Sequence, residues 1–537
     1  MRSLVRRPFT VLVLLILLFA GSAAAPQAGL ARGDTQTSVA GIDVDSTTIP
    51  ELQALMDSNR LKSVQLVQFY LHRIRNLNPL LNAVITVNPN ALAEARAADN
   101  ARRRGDDRPL LGIPIIVKDN INTGGMATTA GSWSLAGSMP SDAFIIDRLK
   151  AAGAIILGKA NRSEWANFRS IPSSSGWSGI GGQTNMAHVL DRNPCGSSSG
   201  SAVVAAASLA VAAVGTETDG SVVCPSGANG IVGIKPTVGL LSRDGIIPIT
   251  ADQDTAGPMA RNVTDAAVLL GAMTGVDPAD PATTGQVAFG DYTQFLDAGA
   301  LEGANIGIWR DGTYSFDGFI VDDDVADVMD DVVAALTAAG ATVVEVDIEI
   351  EDAYGPEFDA LLCEFKTDLP AYFDTYTGAG YPKDLQDVIH FNNANPDLEG
   401  PWNSLIFELA QATGGRSDPA CTAARTTADS VAESALSTAL AGLDAIVAPT
   451  NGPAWVTDPV NGDLSGDFST FVGSSTPSAI SGWANVTVPA GYGSDVLPIG
   501  VSFIGGQWDE ANLLALAYAF EQATQVRVPP PFLRTLD

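Results

Sequence analysis

The sequence predicts an α/β sheet protein, and three observations lead there. Short apolar runs alternate with amphipathic segments of about a dozen residues, the pattern of strands joined by helices. Of 537 residues, 46% are hydrophobic and only 17% charged, enough apolar material for a large core. Two glycine- and serine-rich stretches interrupt the periodicity in the middle of the chain, and long aperiodic loops inside compact proteins are usually functional.

The elements follow in order. Pro50 opens a helix, with Thr48 or Ile49 at its cap and Leu52, Leu55 and Met56 at helical spacing. A second helix covers 63–77, a strand 83–87 and a third helix 90–104. A strand over 113–117, a helix over 143–152 and a strand over 154–157 come next. Residues 170–200 read as loop. The Ala/Val/Leu run 202–214 reads as a buried helix, and 215–233 as a second Gly-rich stretch. Asp-Pro pairs mark a boundary over 277–303. Strands at 306–308 and 343–346 then flank an acidic helix, 321–339. Residues 350–427 are less regular, a cap or insertion over the core. Strands at 445–447, 486–488 and 498–501 and a helix over 511–524 complete the chain.

The N-terminus reads separately. Arg2, Arg6 and Arg7 precede the apolar run 11–19, and Ser22-Ala23-Ala24-Ala25 follows, the order of a secretory signal peptide. The expected organisation is a signal over 1–25, a flexible segment over 26–45 and a catalytic domain over 46–537. The protein is then exported, periplasmic or extracellular, with no stable membrane association once the signal is cleaved; an uncleaved anchor is the alternative, against which the apolar run is short for a membrane span. Export permits disulfides among Cys195, Cys224, Cys363 and Cys421, with three pairings open and reduced buried cysteines as the alternative.

A net charge of −30 argues against a phosphate-binding surface, so nucleic acid is excluded as a partner. Only His72, His188 and His390 could act as histidine bases, and none sits in a pattern that suggests it. No His or Cys pair has metal-ligand spacing, so no metal is expected. Gly153 to Lys159 has P-loop spacing, but an apolar strand fills it and Ala160 replaces the magnesium-binding hydroxyl. Gly196-Ser197-Ser198-Ser199-Gly200 fits G-x-S-x-G without the strand that should precede it. Trp133, Trp165 and Trp177 are pocket candidates, with at least two expected in the core.

Lys118 ends the apolar strand Pro114-Ile115-Ile116-Val117, which carries its stem inward, where an ammonium is costly and a neutral amine can serve as a base. Two clusters accompany it. Cys195-Gly196-Ser197-Ser198-Ser199-Gly200-Ser201 supplies hydroxyls. Gly215-Thr216-Glu217-Thr218-Asp219-Gly220-Ser221 leads small residues into one serine, a turn whose amides can converge on an oxyanion.

Lys118 followed by these clusters, with Gly112 to Asn120 and Gly230 to Thr237, resembles the amidase signature family of serine hydrolases. The likeness runs from about Ser46 to the C-terminal helix. Within that family, Thr216 to Ser221, Val223-Cys224-Pro225 and Ser242 to Pro248 look most like bacterial peptide amidases. Many relatives carry Arg where Val223 stands. The resemblance implies a mixed β-sheet core covered by helices. It also implies Ser221 as nucleophile, Ser197 as the bridging serine after a cis peptide, Lys118 as base, and the backbone amides of Thr218, Asp219, Gly220 and Ser221 as oxyanion hole. No metal or organic cofactor is implied. The expected reaction is hydrolysis of C-terminal peptide amides or similar small amides to carboxylate and ammonia. The alternatives are an exported binding protein that keeps the fold without catalysis and an amidotransferase-like subunit. Lys235 is read as a structural ion pair. The mechanism requires burial of Lys118 to outweigh Asp119, Glu217 and Asp219, with acids such as Asp322, Asp323 and Asp324 on a distant solvated face.

Overall fold

The computed structural model describes residues 36–310, 322–464, 474–494 and 496–536. The proposed signal over 1–25 lies outside the described residues. The strands are β1 (Ser38–Val39), β2 (Ile42–Asp43), β3 (Val84–Val87), β4 (Pro114–Lys118), β5 (Ile155–Ala160), β6 (Trp177–Ser178), β7 (Gly182–Gln183), β8 (Ala212–Glu217), β9 (Val232–Lys235), β10 (Thr255–Ala260), β11 (Asn305–Ile308), β12 (Thr342–Glu345), β13 (Ala445–Pro449), β14 (Asn485–Gly493) and β15 (Leu497–Ile504). Eleven of them form one sheet in the order β12-β11-β13-β15-β14-β9-β10-β8-β4-β5-β3. Parallel pairs β4/β5, β4/β8, β11/β12 and β11/β13 mix with antiparallel pairs such as β8/β10 and β14/β15. The sheet is therefore mixed and carries helices, the architecture the resemblance implies.

The central strands β4, β5, β8 and β10 are buried along their whole length, which is why β4 and β5 read as continuous apolar runs, while β10 gave no strand signal. That property also explains a correction. The run 202–214 is not one helix: it divides into a helix Ser199–Ala206 and strand β8, joined through Ser208 at φ 51°. Both pieces are buried on every side, so neither has the periodicity that tells helix from strand. The helix starts inside the predicted loop, with Gly200 packed where a Cβ would lie 2.4 Å from the Asn161 carbonyl oxygen.

Thr48 caps the helix Ile49–Asp57 with a capping box to Glu51. The segment before it carries the β1/β2 hairpin, and Asp45 is buried against Arg527 at 2.9 Å. Residues 350–427 are mostly helical. Helices Glu351–Tyr376, Leu385–Ala394 and Leu405–Ala412 pack partly around their own apolar cluster, which includes Phe365, Leu369, Phe373 and Phe407, while helix Pro419–Ala439 packs its Ala428, Ala432 and Leu436 in another with Ile446 and Ile504. Pro356 and Pro370 lie within the first of these helices, and its weak amphipathic contrast hid the periodicity. Two disulfides form, Cys195–Cys224 and Cys363–Cys421, selecting one of the three pairings and removing the reduced-cysteine alternative.

Candidate active site

Register places the site. Val117 of β4 lies opposite Val214 of the parallel strand β8, so both chains leave the sheet side by side at their C-terminal ends, where α/β sheets tend to bind ligands. Lys118 is the last residue of β4 and is wholly buried. Its Nζ lies 2.8 Å from Ser197 Oγ, 3.0 Å from the Thr216 carbonyl oxygen and 2.9 Å from Thr216 Oγ1. Ser197 Oγ in turn lies 3.0 Å from Ser221 Oγ. Ser197 follows a cis peptide bond from Gly196. Of the three groups only Ser221 retains exposed surface, 8%.

The alternation of β4 and β5 separates two lysines. Lys118 pairs in register with Ala160, and the buried Arg162 lies just beyond the end of β5. Lys159 and Asp119 occupy the other side, 3.5 Å apart, with Thr129 donating to Asp119. Asp119 therefore does not oppose a neutral Lys118. Burial holds the Lys118 amine well below the usual lysine range, and the buried Arg162 guanidinium adds to the lowering. Glu217 and Asp254 work against both. Asp254 is a carboxylate that sequence reasoning missed.

The turn after β8 is held through its side chains and carbonyls. Thr218 Oγ1 donates to Asp254 at 2.6 Å, Asp219 accepts from Ser475 and Thr476 at 2.6 and 2.7 Å, and the Gly220 carbonyl accepts from the Cys224 amide at 2.9 Å. Glu217 accepts the Val222 and Val223 amides at 2.6 and 2.9 Å. Among the described residues, the amides of Thr218, Asp219, Gly220 and Ser221 donate to no acceptor. Gly220 sits at φ 72°, a conformation that favours glycine. The disulfide Cys195–Cys224 ties the Ser197 segment to the Ser221 segment.

Other sequence candidates lie elsewhere. Ser198 is buried and bonds to the Thr216 backbone, so G-x-S-x-G forms no nucleophile elbow. His188 is buried beside Tyr492 and pushed down to about 3 by desolvation, while His72 and His390 pair with Asn76 and Gln386 on exposed faces. Lys235 is not ion-paired as expected. It donates to the Trp483 and Pro236 carbonyls at 2.7 and 3.3 Å, and burial pushes it down to about 8. Of the three tryptophans only Trp165 is core. Trp133 is 39% exposed, and Trp177 is partly buried, edge-on to Trp402. No group of acidic, His or Cys residues suited to a metal ion occurs among the described residues.

A cavity of about 330 Å³ has Asn120, Thr216 and Thr218 at one end, where Thr216 also accepts from Lys118 Nζ; neither Ser197 nor Ser221 lines it. Residues 243–251 and helix Glu351–Tyr376 supply other walls, including Tyr372 and Tyr376. Asn120 Nδ2 donates to Thr216 Oγ1 at 3.0 Å. Asn120 and Thr216 stood inside the motifs recognised in the sequence, but Arg162 and Tyr372 carried no sequence signal beyond their place after β5 and on a helix.

The family comparison completes this geometry. Residues 65–514 match the family model described as Amidase. The chain belongs to the amidase family. Native peptide amidase from Stenotrophomonas maltophilia is 46% identical to this amidase, covering 91% of this chain and 99% of that one, with a TM-score of 0.84. A peptide amidase in complex with the competitive inhibitor chymostatin is also 46% identical, covering 90% and 99%, with a TM-score of 0.85. A glutamyl-tRNA(Gln) amidotransferase subunit of Thermoanaerobacter pseudethanolicus is 30% identical over 91% of this chain and 99% of that protein. This amidase is accordingly a hydrolase of carbon–nitrogen bonds.

Proposed function

We propose that this amidase is exported and removes the carboxamide from C-terminal peptide amides, or similar small amides, through an acyl-enzyme on Ser221. The observation that carries this reading is the continuous chain from Lys118 Nζ through Ser197 Oγ to Ser221 Oγ, with links of 2.8 and 3.0 Å.

In this reading Lys118 is neutral. Its two N–H bonds go to the carbonyl and hydroxyl oxygens of Thr216, which leaves its lone pair for the Ser197 proton. Ser221 Oγ attacks the amide carbon. Its proton moves to Ser197 as the Ser197 proton moves to Lys118, so the nucleophile is activated without histidine. The carbonyl electron pair shifts to oxygen, facing the amides of Thr218, Asp219, Gly220 and Ser221. Collapse of the tetrahedral intermediate breaks the C–N bond, and the nitrogen takes a proton back along the relay and departs as ammonia. Water, deprotonated by the same relay, cleaves the Ser221 ester to release the carboxylate.

The peptide-amide substrate is supported by the likeness to solved peptide amidases. Export is supported by the leader pattern in residues 1–25 and by two disulfides, which persist in oxidising compartments. The likeness to the amidotransferase protein favours a second reading, in which ammonia passes to a partner. A non-catalytic binding protein would have no need of the Lys118–Ser197–Ser221 chain.

The test is ammonia release from peptide amides by the mature protein, with Ser221→Ala and Lys118→Ala variants in parallel. Rapid release by the native protein and near-background release by both variants is expected, and equal rates in all three contradict the mechanism. Release from glutamine alone favours the amidotransferase reading.

A further inference from the structure

The cavity that ends at Thr216 and Thr218 carries a charge that its own walls do not cancel. Four carboxylates line it, those of Asp244, Asp254, Asp280 and Asp368, against the single guanidinium of Arg243. Arg243 is committed to Asp280, with Nε 2.8 Å from one carboxylate oxygen and a terminal nitrogen 2.5 Å from the other. Asp368 is matched from outside the cavity by Arg416, again through two nitrogens, at 3.1 and 2.6 Å. The remaining two have no such partner. Asp254 accepts from the Thr218 hydroxyl and from the Ile249 and Thr250 amides, and Asp244 accepts from the Tyr376 hydroxyl. Neutral donors of this kind hold a carboxylate in place without adding a countercharge.

Asn120 gives an independent sign of a ligand. It is only 3% exposed and lines the cavity. Its Nδ2 is used on Thr216, yet its Oδ1 has no hydrogen-bond partner. A buried acceptor of this kind calls for an incoming N–H donor. Tyr372 and Tyr376, one helical turn apart with ring centroids separated by 5.2 Å, add aromatic wall on the same side as Asp244. Uncancelled carboxylates, an unpaired amide oxygen and aromatic rings all favour cations that carry N–H groups. A volume of about 330 Å³ is at the small end for ligand sites, enough for one side chain or chain terminus.

We propose that this cavity is a specificity pocket for a cationic group of the amide substrate, an ammonium or guanidinium held by Asp244 and Asp254 while the carboxamide lies at Ser221. The proposal rests on the amide-hydrolase reading above and names the substrate class within it. The cation has two possible sources, a basic side chain or the peptide's free amino terminus.

The test compares kcat/KM for two neutral and charged pairs by ammonia release. One pair is N-acetyl-lysine amide against N-acetyl-norleucine amide. The other is glycyl-norleucine amide against its N-acetylated form. The native enzyme should favour the cationic member of at least one pair by about tenfold, the scale of one well-placed recognition contact. Asp244→Asn should collapse that ratio, whatever it does to the absolute rates. Asp323→Asn removes the same charge from an exposed helix start and should leave the ratio intact. Ratios near one in the native enzyme, a ratio untouched by Asp244→Asn, or an equal loss with Asp323→Asn would each overturn the pocket and leave the hydrolase reading standing. Release of ammonia from none of the four amides overturns the proposed function, and the pocket with it.

Discussion

Lys118, Ser197 and Ser221 are held by strand ends and by a turn whose carbonyls and side chains are tied down. Helix Glu351–Tyr376 supplies a wall of the cavity that ends at Thr216 and Thr218, and packs largely around a separate apolar cluster. Each region has its own disulfide, Cys195–Cys224 between the two serine segments and Cys363–Cys421 between helices Glu351–Tyr376 and Pro419–Ala439. Each also has its own electrostatics. On the Lys118 side the strand ends bury Lys118 and Arg162 without an ion pair, although Lys159 on the other side pairs with Asp119, whereas the helices pair their charges, as Arg425 does with Glu364 at 2.8 Å. The difference separates two jobs. In the proposed function the strand ends set the proton chemistry and the helical wall shapes what enters, though Thr250 and Gln253, donating to Glu364 and Glu357, tie the two together.

Variants that break this division come first. Ser221→Ala should lower kcat by about a thousandfold or more with little change in Tm, because it removes the nucleophile and leaves the turn. Lys118→Met should cost roughly 10²–10⁴-fold, the usual worth of a positioned base. The pH–rate profile adds a sign. In the proposed relay Lys118 acts as a base only when neutral, and its pKa lies well below the usual lysine value, so kcat/KM should fall as pH drops and the amine takes a proton. Arg162→Met removes a neighbouring cation, so Lys118 should bind its proton more tightly and the acid limb should move to higher pH. A limb that stays in place contradicts the role given to Arg162.

The disulfides sharpen the same contrast. Replacing Cys195 and Cys224 by Ala should lower kcat, because the two serine segments lose their direct link. Replacing Cys363 and Cys421 by Ala should lower stability by about 2–4 kcal/mol in thermal unfolding and leave kcat of the folded enzyme nearly intact. If both pairs affect kcat equally, the wall and the relay are coupled. The smallest effect belongs to His72→Ala, an exposed helical position, which should leave activity within about twofold and stability within about 0.5 kcal/mol.

What the sequence discloses divides along similar lines. Lys118 was legible only in company: a lysine ending an apolar strand would ordinarily reach solvent, and the two serine clusters are what set it apart. The serine clusters were legible as motifs, and the helix Ile49–Asp57 through its cap and Pro50. The boundary between Ala206 and Ala212 was not, because burial on all sides erases periodicity. The helices of 350–427 were obscured because their apolar positions serve a second cluster and proline falls within one of them. Arg162, Asp254 and Tyr372 reach the site from chain positions with no motif of their own, and only strand register and helix packing bring them there. Lys235 marks the converse case, a lysine in a family-like stretch whose partners are backbone carbonyls.

The central claim is that Ser221, activated through Ser197 by Lys118, carries the acyl group. A serine-directed covalent probe followed by peptide mass spectrometry tests it most directly. The account predicts a label on Ser221, abolished by Ser221→Ala and strongly slowed by Lys118→Met. A label on Ser198, or one that survives Ser221→Ala at an unchanged rate, would contradict it.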